Sequence, residues 1–410
     1  MKKPYVGVLG AVAALALTAC SSGSENDLSG TRATGAPIVI GAQAPIKGAT
    51  AYPQTAYGLE AGAYYINEVL GGIAGRPVEV DVCGGDGSPE TAINCANGFV
   101  SKKVPLVIDA VDQSMGAAVP ILAEANIPII GTLAGSFVAD SAEYGKAFYF
   151  TGPVSFAALS SMSVLDTMGK TKASLAVNES PTSHAYVDDL ILPIAEQMGI
   201  DVSVQYPPAS GANLNVVAAT QLADDPDIAG VIALPEDACT GLFQALRRQG
   251  YDNSILAGSC SQFIDEMGAD AAGIVTQPRL WVPLAKEAAP EEVRRQLEEF
   301  EQAMDAVGYG DQASSRSLYT FAALVNIAKI LSENGSDDVT SESVIDAFSS
   351  LRDFPTFAGP NATCDGQQWP GIATTCNAQA IFFEVQEDGT LQPVDEAGYM
   401  DLDPSLMPAS

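Results

Sequence analysis

The stretch Ile38-Val39-Ile40-Gly41, read with the segments Gln54 to Leu70 and Val78-Glu79-Val80-Asp81-Val82, decides the fold. The first is a short apolar run rich in β-branched residues, the pattern of a strand buried on both faces. Ala44-Pro45-Ile46-Lys47-Gly48-Ala49-Thr50 follows as a loop punctuated by Pro and Gly. In the next segment Leu59, Ala63, Ile66 and Leu70 recur at helical spacing, Gly71-Gly72 stops the helix, and a second strand begins at Val78. A strand, a crossover helix and a second strand predict a parallel pair with a right-handed connection. In such sheets small ligands sit beyond the carboxyl ends of the strands, which places the loop Pro45–Thr50 beside any site.

The same alternation runs through most of the chain. Strands are predicted at Pro105–Ile108, Ile127–Ile130, Ala147–Thr151, Ser174–Val177, Asp201–Gln205, Ile228–Leu234, Ser254–Ala257 and Gly273–Thr276, with helices between most of them. An α/β fold of parallel sheets flanked by helices follows. A charged amphipathic helix from Pro290 to Val307, a more apolar one from Ser317 to Leu331 and a shorter one from Val344 to Leu351 come next, before a Cys-containing closing region with strand-like Ala380–Val385. The chain is too long for one compact core, so two lobes are expected.

Met1-Lys2-Lys3, the apolar run Val6 to Leu17 and Leu17-Thr18-Ala19-Cys20 read as a bacterial lipoprotein signal, with residues 1–19 removed and Cys20 acylated. Residues 20–36, rich in Ser, Gly, Asn and Thr, read as a flexible tether. These features place the protein outside the cytoplasm, on the outer face of the cell membrane. The net charge of −31 argues against nucleic acid or anionic lipid surfaces as partners. Beyond Cys20 six cysteines remain, an even number in an oxidising compartment, and the pairs Cys83–Cys95, Cys239–Cys260 and Cys364–Cys376 are expected as disulfides. With a single histidine and no CxxC, a metal site is not expected, nor any cofactor.

Catalytic signatures are absent. Gly169-Lys170-Thr171 lacks the first glycine of a phosphate loop, where Val164 stands. Any Ser-His-Asp triad would need His184, whose acidic neighbours Asp188 and Asp189 lie on its own helix and cannot orient it toward a distant serine. An enzyme is therefore not expected.

From Pro37 to about Val394 the chain resembles the type I periplasmic binding proteins of the leucine/isoleucine/valine-binding family. The resemblance rests on Ile38–Leu70 followed by Gly71-Gly72-Ile73-Ala74-Gly75-Arg76-Pro77-Val78. It continues in Ala123-Glu124-Ala125-Asn126-Ile127-Pro128-Ile129-Ile130-Gly131-Thr132, and in Phe357-Ala358-Gly359-Pro360 with Asn377 to Gly389. It implies two αβ lobes joined by three hinge crossings, near Thr151–Phe156, Arg279–Leu284 and Leu351–Gly359. Lobe 1 then comprises 37–152 and 281–352, lobe 2 comprises 153–280 and the closing strands of 353–394, and 395–410 is a tail. The implied function is a monomeric, lipid-anchored solute receptor that serves an ABC permease, with a branched-chain or other amino acid as first ligand; amides, urea or aromatic carboxylates, and a sensor subunit on the same fold, are alternatives.

Carried onto this sequence, the family's ligand carboxylate would sit on the loops Val111-Asp112-Gln113-Ser114 and Leu133-Ala134-Gly135-Ser136, with Ser114 and Ser136 as hydroxyl donors. Tyr52 would supply an aromatic wall, and His184 or Tyr186 a second-lobe aromatic. Where amino-acid binders place an acid for the ligand ammonium, this chain has Ser259; Glu236 or Asp237 are the nearest substitutes. If neither serves, the ligand lacks an amine, and Arg316 is placed to pair with an anionic group.

Overall fold

The computed structural model describes residues 30–48, 51–335 and 338–408. The signal peptide, Cys20, the first part of the tether and the loop residues Ala49 and Thr50 lie outside the described residues.

The opening strand, β1 (Ile38–Pro45), is buried along nearly its whole length, with Ile38, Ile40, Ala42, Gln43 and Ala44 inside. It pairs in parallel with β2 (Val78–Gly85) in a register that sets Ile38 against Val78 and Pro45 against Gly85. The crossover between them is α-helical from Gln54 to Tyr65 and widens into a π-helical turn over Ile66–Leu70. Gly71 and Gly72 then end it, both at positive φ (81° and 80°), a region where a side chain would be strained. β3 (Val107–Asp109), β4 (Ile129–Gly131) and β5 (Ala147–Tyr149) complete a five-stranded parallel sheet in the order β2-β1-β3-β4-β5.

The second sheet contains β6 (Lys172–Val177), β7 (Asp201–Gln205), β8 (Ile228–Ala233), β9 (Ile255–Leu256) and β10 (Ile274–Thr276), all parallel. At its β10 edge β12 (Phe383–Val385) and β13 (Leu391–Pro393) add antiparallel strands, making seven in the order β13-β12-β10-β9-β8-β6-β7. β11 (Gln379–Ile381) pairs with β14 (Tyr399–Asp401) in a separate two-stranded ribbon. Residues 395–410, expected as a tail, thus carry a paired strand: Met400 lies opposite Ala380 and is buried, and that burial holds the segment in place.

The chain returns to the first lobe after β10. The helix Glu291–Ala306 packs against Gln54–Tyr65, and the almost wholly buried helix Ser315–Glu333 packs there too, with Thr320 donating its hydroxyl to the Thr55 carbonyl (2.8 Å) and Thr132 to that of Tyr319 (2.7 Å). The last passage between the lobes departs from the expected boundary at 353. Before reaching β12 the chain runs beside β5, where the Tyr149 N–H donates to the Thr374 carbonyl (2.8 Å) and the Cys376 N–H to that of Tyr149 (2.9 Å). Unpaired edge groups of a sheet seek partners, and this segment supplies them. The three expected disulfides are formed: Cys83–Cys95, Cys239–Cys260 and Cys364–Cys376.

The passages are tied to one another. Arg279 donates to the Gly152 carbonyl (3.2 Å), the Trp281 N–H to that of Ala358 (2.9 Å), and the Tyr399 hydroxyl to Ala358 as well (3.2 Å). Leu280, Trp281, Phe357 and Ala358 are buried there, so the connection is an apolar joint rather than a loose tether.

Candidate functional site

At the carboxyl end of β3, Asp109 is buried and accepts three hydrogen bonds: from the Asp112 N–H (3.0 Å), the Gly135 N–H (3.0 Å) and the Tyr149 hydroxyl (3.1 Å). Asp112, also buried, accepts from the Ser114 N–H (2.9 Å), the Ser114 hydroxyl (2.7 Å) and the Gln43 amide (3.2 Å). Ser136 caps the helix Phe137–Asp140 by accepting from the Ala139 N–H (3.3 Å). A Cβ on Gly135 would lie 2.2 Å from the Asp112 carbonyl oxygen, so the two loops touch backbone to backbone. The Ser114 N–H and hydroxyl and the Gly135 N–H, expected among the donors to a ligand carboxylate, therefore already hold carboxylates belonging to the chain, while the Ser136 oxygen is taken up in the cap. Burial pushes the Asp109 carboxyl up to about 7, against the pull of the Gly135 and Asp112 N–H groups. Asp112, Ser114 and Ala134 are buried, Gln113 is exposed, and none of them, nor Gly135 or Ser136, reaches the chamber described next.

That chamber, of about 410 Å3, lies between the strand ends of the two lobes. Leu133, Phe137, Arg316 and Tyr319 face it from the first lobe, Val177, Tyr186, Ile232, Ser259 and Thr276 from the second, and Val154, Gln277, Pro278 and Arg279 from the crossings. Its walls are mostly apolar, with a few convergent polar groups, the usual make-up of a small-molecule site. The cleft continues on either side into outer chambers of about 530 Å3, with Tyr52, Gln312 and Arg316, and about 550 Å3, with Val282, Asp305 and Leu391.

Two guanidinium groups mark the central chamber. Arg316, second residue of its helix, lies 4.0 Å above the centre of the Tyr52 ring. Arg279 sits 4.3 Å above the Phe156 ring, with left-handed backbone (φ 63°) that turns its side chain into the cleft. Among the described residues neither forms an ion pair. Tyr319 is within electrostatic reach of both and donates its hydroxyl to the Pro278 carbonyl (2.6 Å). Asp140 is the acid that Arg279 feels; one carboxylate oxygen accepts from the Val154 N–H (2.6 Å), the other is buried without a protein partner, and burial raises its carboxyl to about 6. Burial also lowers the Arg279 pKa from its ordinary value, the expected result for a cation removed from water.

The remaining expected residues divide. Ser259 lines the central chamber, and Tyr52 and Arg316 meet in the adjoining one. Glu236 is not in the chamber: its carboxylate accepts from the Ser261 N–H (3.0 Å) and hydroxyl (2.9 Å) and from the Gln262 N–H (3.2 Å), clamping the loop after β9. His184 points elsewhere, contacting Glu179 at 3.0 Å and stacking on Tyr206 at 3.9 Å. Tyr186, two positions on, faces the chamber instead, because residues two apart on a helix do not share a face. Sequence reasoning missed Arg279, Phe137 and Tyr319. For Arg279 a signal existed, since it falls in the second expected crossing, and crossings border the cleft. No group of His, Cys, Asp and Glu positioned to hold a metal ion occurs among the described residues.

A family model described as periplasmic binding protein matches residues 37–389. Compared by sequence with curated proteins, the chain finds no significant match. Among solved structures, an extracellular ligand-binding receptor from Rhodopseudomonas palustris is similar at 17% identity and a TM-score of 0.67, covering 88% of this chain and 100% of its own. A leucine binding protein, LivK, from Thermotoga maritima is similar at 14% identity and 0.66, covering 89% and 99%. The branched-chain amino acid transporter substrate binding protein LivJ of Streptococcus pneumoniae, solved with isoleucine, is similar at 16% identity and 0.65, covering 87% and 99%. These likenesses show the type I fold, two α/β lobes facing across a cleft. With the family model matched over most of the length, this chain belongs to the periplasmic binding protein family, an extracytoplasmic family of solute-binding proteins.

Proposed function

We propose that this protein is the solute-capturing component of an ABC importer, held at the outer face of the membrane by a lipid on Cys20, and that it delivers a small molecule from the interlobe cleft to a permease. The observation that carries the reading is the chamber between the lobes, walled by both sheets' strand ends and by the crossings on which a clamp would close. The family match and the transport proteins among the structural neighbours support it. Among the described residues no helix is long and apolar enough to cross a membrane; the proposed attachment at Cys20 rests on the basic start, the apolar run and Leu17-Thr18-Ala19-Cys20. A ligand-sensing subunit on the same fold is the second reading; Tyr52, Phe137 and Val138, partly or well exposed near the cleft, are as available to one partner as to the other.

The test is mass spectrometry of whatever the purified protein retains, followed by thermal shift with amino acids, amides, urea and small carboxylates. A ligand at about one hundred times its Kd adds roughly 2.7 kcal/mol to stability. A melting temperature unmoved by the entire panel removes the capture reading. Cys20→Ala should release the protein from membranes to the soluble fraction, and retention in the membrane fraction would refute the anchor.

A further inference from the structure

Resting on the capture reading, we infer that the cleft selects an organic acid without an ammonium group, its carboxylate held by the guanidinium groups of Arg316 and Arg279 and its apolar body against Leu133, Phe137, Val154 and Ile232. Three independent observations converge on it. First, of the loops that would hold an amino-acid carboxylate, the Asp112, Ser114 and Gly135 N–H groups and the Ser114 hydroxyl are occupied by Asp109 and Asp112, and residues 112–114 and 134–136 do not reach the chamber. Second, the central chamber has two cationic groups without an ion-pair partner, and no aspartate or glutamate lines it. In a chain of net charge −31, this chamber gathers two cationic side chains and no lining acid. Third, the position where an ammonium partner is expected carries Ser259, and Glu236 is spent on the Ser261–Gln262 loop.

Gln277 lines the chamber with an amide nitrogen that has no protein acceptor, and the Tyr319 hydroxyl is already committed to Pro278. The acids nearest the cleft do not line the chamber. Asp140 is engaged by the Val154 N–H; Glu266 and Asp311 border one outer chamber and Asp305 the other, where all three are exposed and screened by water, and Glu301 is paired with Lys286. A guanidinium presents a planar fork that matches a carboxylate and cannot be neutralised at ordinary pH, so it holds an anion and repels an ammonium.

Isosteric pairs that differ in the amine test this directly: α-ketoisocaproate against leucine, and hydrocinnamate against phenylalanine, by thermal shift and calorimetry on the full protein. At least one acid of the pairs should raise the melting temperature while its amino-acid counterpart leaves it unchanged. Arg316→Gln should weaken that acid tenfold or more, and Arg279→Lys, which keeps the charge but loses the fork, should weaken it less. An unmoved affinity in folded Arg316→Gln overturns the assignment. Leucine or phenylalanine binding as tightly as its acid also overturns it while leaving solute capture intact, as does a shift by an amide or urea alone. If nothing in the wider panel shifts the protein, the capture reading falls together with this one.

Discussion

The strand-end loops of the first lobe and the chamber between the lobes carry opposite answers to the same question, whether a polar group has a partner. On the first lobe, the loops 111–114 and 133–136 are turned inward: the Asp112, Ser114 and Gly135 N–H groups and the Ser114 hydroxyl are bonded to Asp109 or Asp112, and the Ser136 oxygen caps a helix. Around the chamber, Arg279 and Arg316 rest on aromatic rings without a carboxylate. A hydroxyl or N–H at a strand end is a binding group only if the fold leaves it unspent. Saturated polar networks serve rigidity, and unsaturated ones serve ligands.

The largest expected effect breaks the inward-turned loops. Asp109→Ala strands the Asp112 and Gly135 N–H groups and the Tyr149 hydroxyl in a buried site, and should cost about 3 kcal/mol or more in chemical denaturation. A loss below about 1 kcal/mol would show that water satisfies those groups and that the loops are open to ligand after all.

Gly135→Ala probes the same contact through shape. Its Cβ would meet the Asp112 backbone at 2.2 Å, so the loops must part, and a loss of about 2 kcal/mol is expected in the same measurement.

The third test uses protons. The Asp109 carboxyl is held at about 7 in the fold and Asp140 at about 6, against about 4 for an unfolded aspartate. Between those values the folded chain binds more protons than the unfolded one, so stability is greatest at the acid end and falls as pH rises through about 7. Melting temperature should therefore decline from about pH 5 to about pH 8, and Asp109→Asn should flatten the decline. Repulsion among the excess acids acts in the same direction, which is why the variant, not the slope alone, decides.

The smallest expected effect concerns His184. Turned toward Glu179 and Tyr206 rather than the chamber, it should be replaceable by Ala with less than about 0.5 kcal/mol of stability lost. Ligand affinity in calorimetry should stay the same; a clear loss of affinity would return this residue to the site.

Much of the architecture is legible along the chain because it depends on local pattern. β-branched runs, helical spacing and paired glycines identify the strand–helix–strand unit of residues 38–82, and an even number of cysteines in local pairs, two of them twelve apart, points to the three bridges. The departures arise where a distant partner decides. The Thr374–Cys376 segment goes to β5 and Tyr399–Asp401 to β11 because those edges have unpaired groups that no local signal announces. The site divides in the same way. Ser259, Arg316 and Tyr52 were nameable as cleft residues through the family resemblance, which carries the family's pocket positions onto this chain. Whether Ser114 is free or held by Asp112, and whether Glu236 meets a ligand or a loop, depends on hydrogen bonds between side chains and loops that the sequence lists without orienting.

By itself, then, the sequence determined the α/β class, the two-lobed plan and the face on which a ligand sits, because hydrophobic periodicity and parallel-strand topology act through near neighbours. Only the tertiary structure decided which polar groups remain available. Partner choice among buried donors and acceptors is settled by three-dimensional proximity, as where Gly135 rests on the Asp112 backbone.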